Sequence, residues 1–248
     1  MFEFHALWLL LFLAGVIAGV VNVMAGGGSS ITLPLLILLG LDAGVANGTN
    51  RVAILVQNIS AVLTFSHEKK TRLRTSFTLA LWTIPGAITG ALVATRIDDA
   101  VFEKILGGLL ILIVLSMLIP RDSNPEEQGE RQSLWTGPSL LAIGFYGGFI
   151  QVGVGFLLMA VLVHLMRLDL LTTTVHKITI VLIYMIPALF LYAVMGKIDW
   201  ALGFVLATGN AIGAYIAAKM AIQRGEKIIK IVLMIAVLMM ALRILGII

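Results

Sequence analysis

Val20-Val21-Asn22-Val23-Met24-Ala25-Gly26-Gly27-Gly28-Ser29-Ser30-Ile31-Thr32-Leu33-Pro34 is the stretch whose reading decides the architecture. An apolar run reaching back to Leu7 meets three consecutive glycines, and a short apolar run, Ile31 to Gly40, follows. A membrane-crossing helix needs roughly 20 apolar residues, which the first run supplies and the second does not. The second run suits a re-entrant or broken element instead. No basic residue precedes Leu7, and the run ends in glycines rather than a small-residue cleavage site. The expectation is a mature helix, not a signal peptide.

The rest of the chain agrees. Its 248 residues are 60% hydrophobic and 12% charged, with a mean hydropathy of +1.06, whereas soluble domains carry about a quarter charged residues. Further long, nearly charge-free stretches are 45–65, 77–95, 105–119, 175–195, 200–218 and 228–247. They lack the period-two alternation of barrel strands, and backbone groups in lipid must be satisfied within the segment. An all-α polytopic membrane protein is expected. The longest polar stretch is a charged linker, 120–133. The lack of Cys excludes disulfides, iron–sulfur clusters and thiolate metal sites. A net charge of +4 does not point to nucleic acid, since in a membrane protein the placement of Lys and Arg matters more than their sum. No cofactor, metal or nucleic-acid partner is expected.

The chain repeats itself. Leu41-Asp42 and Leu168-Asp169 each close an apolar segment, and from there the halves align at an offset of 127. Gly26-Gly27-Gly28 falls on Gly153-Val154-Gly155, and Phe65 on Tyr192. At an offset of 123, Gly86 and Gly90 fall on Gly209 and Gly213, and Glu103-Lys104 on Glu226-Lys227. The expected organisation is an N-terminal membrane repeat, 1–119, a cytoplasmic linker, 120–133, and a C-terminal membrane repeat, 134–248. Each repeat reads as a broken or re-entrant helix pair plus three transmembrane helices. An odd number of crossings per half inverts the second relative to the first, giving two inverted-topology repeats. This topology puts twelve of the seventeen Lys and Arg on one side, among them Lys69, Lys70, Arg72, Arg74 and Arg224. The positive-inside rule makes that side cytoplasmic, with both termini extracytoplasmic, in the inner membrane.

Transporters built from inverted repeats bind substrate near the bilayer midplane, where helices are interrupted. Amide groups freed at a half-helix start carry partial positive charge and hold anions. The first break, Gly26, Gly27, Gly28 and Ser29, is the strongest candidate, with Ser29 able to cap the following helix. The second, Gln151, Gly153 and Gly155, is less glycine-rich. Close helix packing is the alternative use of such small residues. Asn47, Thr49, Asn50 and Arg51 open the span 45–65, and His176 and Lys177 stand at the matching start of the second half. Cations beside apolar segments are costly and often functional, although an Arg or Lys at a helix end also snorkels. Gln57 and Asn58, deeper in the same helix, either line a path or hold helices together. His176 could titrate near neutral pH. All 13 Asp and Glu lie at span ends or in loops, so a cation or amine site is not expected. Neither GxxxxGK[ST] nor HExxH nor GxSxG occurs, and no enzyme is expected.

Asn22-Val23-Met24-Ala25-Gly26-Gly27-Gly28-Ser29, then Pro34-Leu35-Leu36, Leu39-Gly40-Leu41 and Ala46-Asn47-Gly48-Thr49-Asn50, resembles the signature region of the TauE/SafE family of sulfite exporters. The resemblance implies transport of sulfite, sulfonates, thiosulfate or related organosulfur anions across a bacterial cytoplasmic membrane. By motif position it carries the family's glycine-rich turn to Gly26, Gly27 and Gly28, and its Asn/Thr segment to Asn47, Thr49 and Asn50. The second half departs from the pattern, with Gly153-Val154-Gly155 for a fuller glycine cluster and Val161 where Pro34 would repeat.

The resulting expectation is a secondary transporter, an exporter of a small sulfur-containing anion, working by alternating access around a central site. Its partners are the anion and the lipid bilayer, in a monomer or homodimer. A permease for another small organic or inorganic anion, a passive anion channel and a non-transporting assembly factor remain as alternatives.

Overall fold

The computed structural model describes residues 2–68, 73–102, 104–105, 108, 133–225, 227–229 and 231–232. Its helices are α1 (Phe2–Met24), α2 (Ser29–Leu38), α3 (Ala43–His67), α4 (Leu73–Arg96), α5 (Thr136–Phe149), α6 (Val154–His164), α7 (Leu170–Val194) and α8 (Trp200–Arg224). There is no strand among the described residues. Among the described residues, four helices are long and apolar enough to cross a membrane: Leu7–Met24, Arg74–Arg96, Leu170–Val194 and Trp200–Arg224. The expected spans 105–119 and 228–247 and the linker 120–133 lie almost entirely outside the described residues, as do Lys69, Lys70 and Arg72.

The helix α3 differs from the sequence reading. It has the length to cross, at 25 residues, but is not among the apolar four. Asn47, Asn50, Arg51, Gln57 and Asn58 lower its apolarity, and all five are buried. The reason is its position in the interior, packed on α7 and α8, where polar side chains find protein partners rather than lipid.

The short helices behave as the break predicts. The 10 residues of α2 and 11 of α6 rise only about 15 Å at 1.5 Å per residue, half of the ~30 Å hydrocarbon core. A Cβ on Gly28 would strike the Ala18 carbonyl, so the chain turns back on α1 at the glycines. The α5–α6 pair turns likewise, and there the Tyr146 hydroxyl donates to Val152 O at 2.7 Å.

Packing recurs in matched pairs. α1 lies along α8 and α5 along α4, while α3 packs on α8 and α7 on α4. Glycines four apart make both long contacts. Gly15 and Gly19 on α1 meet Leu206 O and Asn210 O of α8, and Gly209 and Gly213 return the contact at Phe12 O and Val16 O. On α4, Gly86 and Gly90 meet Leu141 O and Phe145 O of α5, answered by Gly144 and Gly148 at Thr83 O and Ala87 O. Without a hydrophobic drive between helices in lipid, such close backbone approach is what holds them.

Candidate functional site

The two glycine turns meet. A Cβ on Gly26 would fall on the Gly155 backbone, and one on Gly155 on that of Gly26. Gly26 adopts φ +91° and Gly153 φ +74°, left-handed values that side chains resist. Each turn leaves amides open. Those of Gly27 and Ser29 in the first, and Gly153 and Gly155 in the second, have no acceptor among the described residues. The expectation that Ser29 caps α2 is corrected: Gly28 occupies the N-cap position and no side chain caps there. Ser29 sits one residue too late, inside the first turn. The Gly28 amide is taken instead by Asn22 Oδ1 at 2.8 Å, and the Ser30 hydroxyl donates to Gly27 O at 2.7 Å.

The two buried cations close the ends of the interrupted helices. Lys177 Nζ donates to Val23 O at 2.7 Å and Asn22 O at 3.1 Å, the last turn of α1. Arg51 donates to Gly148 O at 2.6 Å and Gly147 O at 3.0 Å, the last turn of α5. Its guanidinium lies 4.4 Å from the centre of the Tyr192 ring. Each cation stands near the start of a long helix in one half and neutralises the negative helix end of the other half. Neither is in an ion pair among the described residues.

At the meeting of the turns lies a cavity of about 20 Å³, room for one water-sized molecule. Its polar wall is Asn22, Gln57, Asn58, Gln151 and Lys177, with the backbone of Gly26 and Gly155, and its apolar wall is Ile54, Ile178 and Val181. The amide orientations follow from a chain of bonds that starts at the backbone. Because the Gly28 N–H needs an acceptor, Asn22 presents Oδ1 to it and Nδ2 to Gln57 Oε1 at 3.1 Å. Gln57 Oε1 also accepts from Asn210 Nδ2 at 3.0 Å. Gln151 Oε1 accepts from the Tyr184 hydroxyl at 3.1 Å. Both glutamine oxygens are therefore engaged, and their NH2 groups have no protein partner among the described residues.

Of the residues singled out in sequence, Gly26, Gln57, Gln151, Gly155 and Lys177 come together at this cavity. The Asn47, Thr49, Asn50, Arg51 and His176 side chains do not line it. Asn47 Nδ2 donates to Phe149 O and the Tyr192 hydroxyl. Thr49 Oγ1 accepts from Asp199 N at 2.9 Å, and Asn50 Oδ1 accepts from the Thr32 hydroxyl at 2.7 Å. His176 Nδ1 lies 2.7 Å from Ser76 Oγ. Asn22 was not singled out. A lone amide at the end of an apolar helix must find partners, and that signal would have marked it.

The sequence profile described as Sulfite exporter TauE/SafE matches residues 11–244. The chain is 30% identical over 233 residues to a "Probable membrane transporter protein" of Haemophilus influenzae, covering 93% of this chain and 91% of that one. It is 31% identical over 245 residues to "Probable membrane transporter protein ORF9" of a Sinorhizobium species, covering 98% and 94%. It is 29% identical over 238 residues to "Probable membrane transporter protein YfcA" of Escherichia coli, covering 95% and 88%. No solved structure matches.

Proposed function

We propose that this chain, which belongs to the TauE/SafE family and is a multi-pass membrane transporter, carries a small anion such as sulfite or an organosulfonate through the cavity where its two glycine turns meet. The observation that carries the reading is the bias of that cavity toward donors. On its wall the open amide of Gly155 and the NH2 groups of Gln57 and Gln151 present N–H, and Lys177 brings a positive charge. Such a set suits a ligand rich in lone pairs and negative charge. Arg51 then acts on the site indirectly, by holding the end of α5 in place.

The matched helix contacts and the reciprocal capping support two inverted halves, 1–119 and 134–248, and the positive-inside rule assigns the linker 120–133 to the cytoplasm. A water-sized cavity must widen to admit an oxoanion, which favours a carrier whose halves rock around the site over an open channel. In a bacterial inner membrane with both termini outside, export of an anion runs downhill on the outward-positive potential.

Proteoliposome uptake of sulfite, competed with thiosulfate, sulfoacetate and acetate, tests the substrate class. Competition by the sulfur anions and not by acetate is expected. Competition by acetate alone would make the protein a carboxylate permease. Gln57→Glu is expected to cut uptake on the order of 100-fold, since a like charge beside the ligand costs several kcal/mol. The variant keeps an acceptor oxygen for Asn22 and Asn210, so its detergent melting temperature should hold, and melting run beside uptake checks this.

A further inference from the structure

The geometry points to Asn58 as a specificity-determining residue: its carboxamide oxygen accepts a hydrogen bond from the substrate, so the site prefers a monoanion that carries an N–H or O–H beside its charge. This rests on the anion reading above and names which anions fit.

The orientation of Asn58 is set by a backbone carbonyl. Its Nδ2 donates to Ile54 O, one turn earlier in α3, at 2.8 Å. A carbonyl only accepts, so the NH2 must face Ile54 and the oxygen must face the other way. The side chain is 2% exposed and lines the cavity. Its Oδ1 has no donor among the described residues. The remaining polar side chains of the wall present spent groups or donors. Asn22 uses both its amide atoms within the protein and Lys177 directs its N–H groups to Asn22 O, Val23 O and the Met159 sulfur, while Gln57 and Gln151 present N–H. Asn58 Oδ1 is thus an acceptor on a wall of donors.

That asymmetry discriminates. A fully deprotonated oxoanion such as sulfate has only lone pairs, and whichever oxygen nears Asn58 Oδ1 meets repulsion and leaves a buried acceptor unmade. Sites built to hydrogen-bond a substrate OH or NH reject analogues lacking it far more strongly than apolar pockets reject a methyl group. An anion with one polar hydrogen fills the whole wall: its oxygens take the donors and its hydrogen goes to Asn58. Hydrogensulfite in its O–H form, a hydroxyl-bearing sulfonate and sulfamate share this chemistry. The charge fits too, since Lys177 is the charged side chain on the cavity wall.

Sulfamate and methanesulfonate make the test. They match in size and in single negative charge, and differ by an NH2 in place of a CH3. Uptake of each into proteoliposomes is measured for the wild type, Asn58→Leu and Asn58→Ala, with detergent melting of all three. The wild type is expected to favour sulfamate roughly 10-fold or more, and both variants to lose that preference while still taking up methanesulfonate. If Asn58→Leu fails to fold, Asn58→Ala, which adds no bulk, carries the test. Equal uptake of the two anions by the wild type, or a preference kept by a folded variant, would overturn the role of Asn58 and leave the anion reading standing. Uptake of neither anion, with sulfite also excluded, would overturn both.

Discussion

Lys177→Met is expected to reduce anion uptake at least ~100-fold while leaving the protein folded. Lys177 is 2% exposed, and its polar partners are two carbonyls and the Met159 sulfur at 3.8 Å. A buried cation without a carboxylate is costly. The carbonyls at the end of α1 offset part of that cost through the helix dipole, and an anion in the cavity would supply the rest. Methionine is close in length, so it removes the charge with little change in packing. Two effects on stability then oppose each other. The desolvation penalty of the ammonium disappears, while the Asn22 and Val23 carbonyls lose their donor at about 1–3 kcal/mol each if left unpaired. A water in the adjoining cavity reduces that second cost. The transport loss has no such compensation, because removing one member of a buried charge pair costs 2–5 kcal/mol. Uptake and melting temperature measured side by side decide it. Unchanged uptake would remove Lys177 from the site, and a collapsed melting transition would make it a structural cap alone.

The larger structural effect is expected at Gly26. Gly26→Val should destabilise the protein by about 3–5 kcal/mol and abolish uptake, and two other glycines separate its causes. Gly40 adopts φ +95° with nothing within 4 Å of a Cβ, so Gly40→Ala measures left-handed strain alone, about 1–2 kcal/mol. Gly155 carries no such φ, but its Cβ would meet the Gly26 backbone, so Gly155→Ala measures the contact alone, about 1–3 kcal/mol. Gly26 carries both. Melting in detergent should rank the variants with Gly26→Val lowest. Gly155→Ala as stable as wild type would mean that the two turns do not touch in the folded protein.

The meeting of the turns was half legible in the sequence. Triple glycine at 26–28 and its partial echo at 153–155 mark two breaks, because glycine both ends a helix and permits close approach. That they touch is encoded by no single residue. The short lengths of α2 and α6 were readable from the apolar runs. The roles of Arg51 and Lys177 were not. Sequence shows a cation near the start of each long helix, and such a cation serves equally to hold a ligand, to cap a helix or to reach the interface. The choice is made by carbonyls about a hundred residues or more away, at Gly147 and Gly148 for Arg51 and at Asn22 and Val23 for Lys177. Gln57 was undecided for the same reason. Its donor faces the cavity because Asn22 and Asn210 claim its oxygen, and Asn210 comes from the far half. Thr49 and His176 belong to helix contacts because their hydroxyl and ring nitrogen are met by Asp199 N and Ser76 Oγ, partners that a linear reading does not place.

Transport through this site requires an anion to sit between the two turns. Selenite carries the same charge as sulfite and scatters anomalously, so an anomalous difference map from crystals grown with it locates the anion directly. A peak is expected within hydrogen-bonding reach of Gln57 and Gln151 and close to Lys177, beside the Gly26–Gly155 contact. A peak elsewhere in the membrane interior, with this cavity empty in transport-active protein, would contradict it.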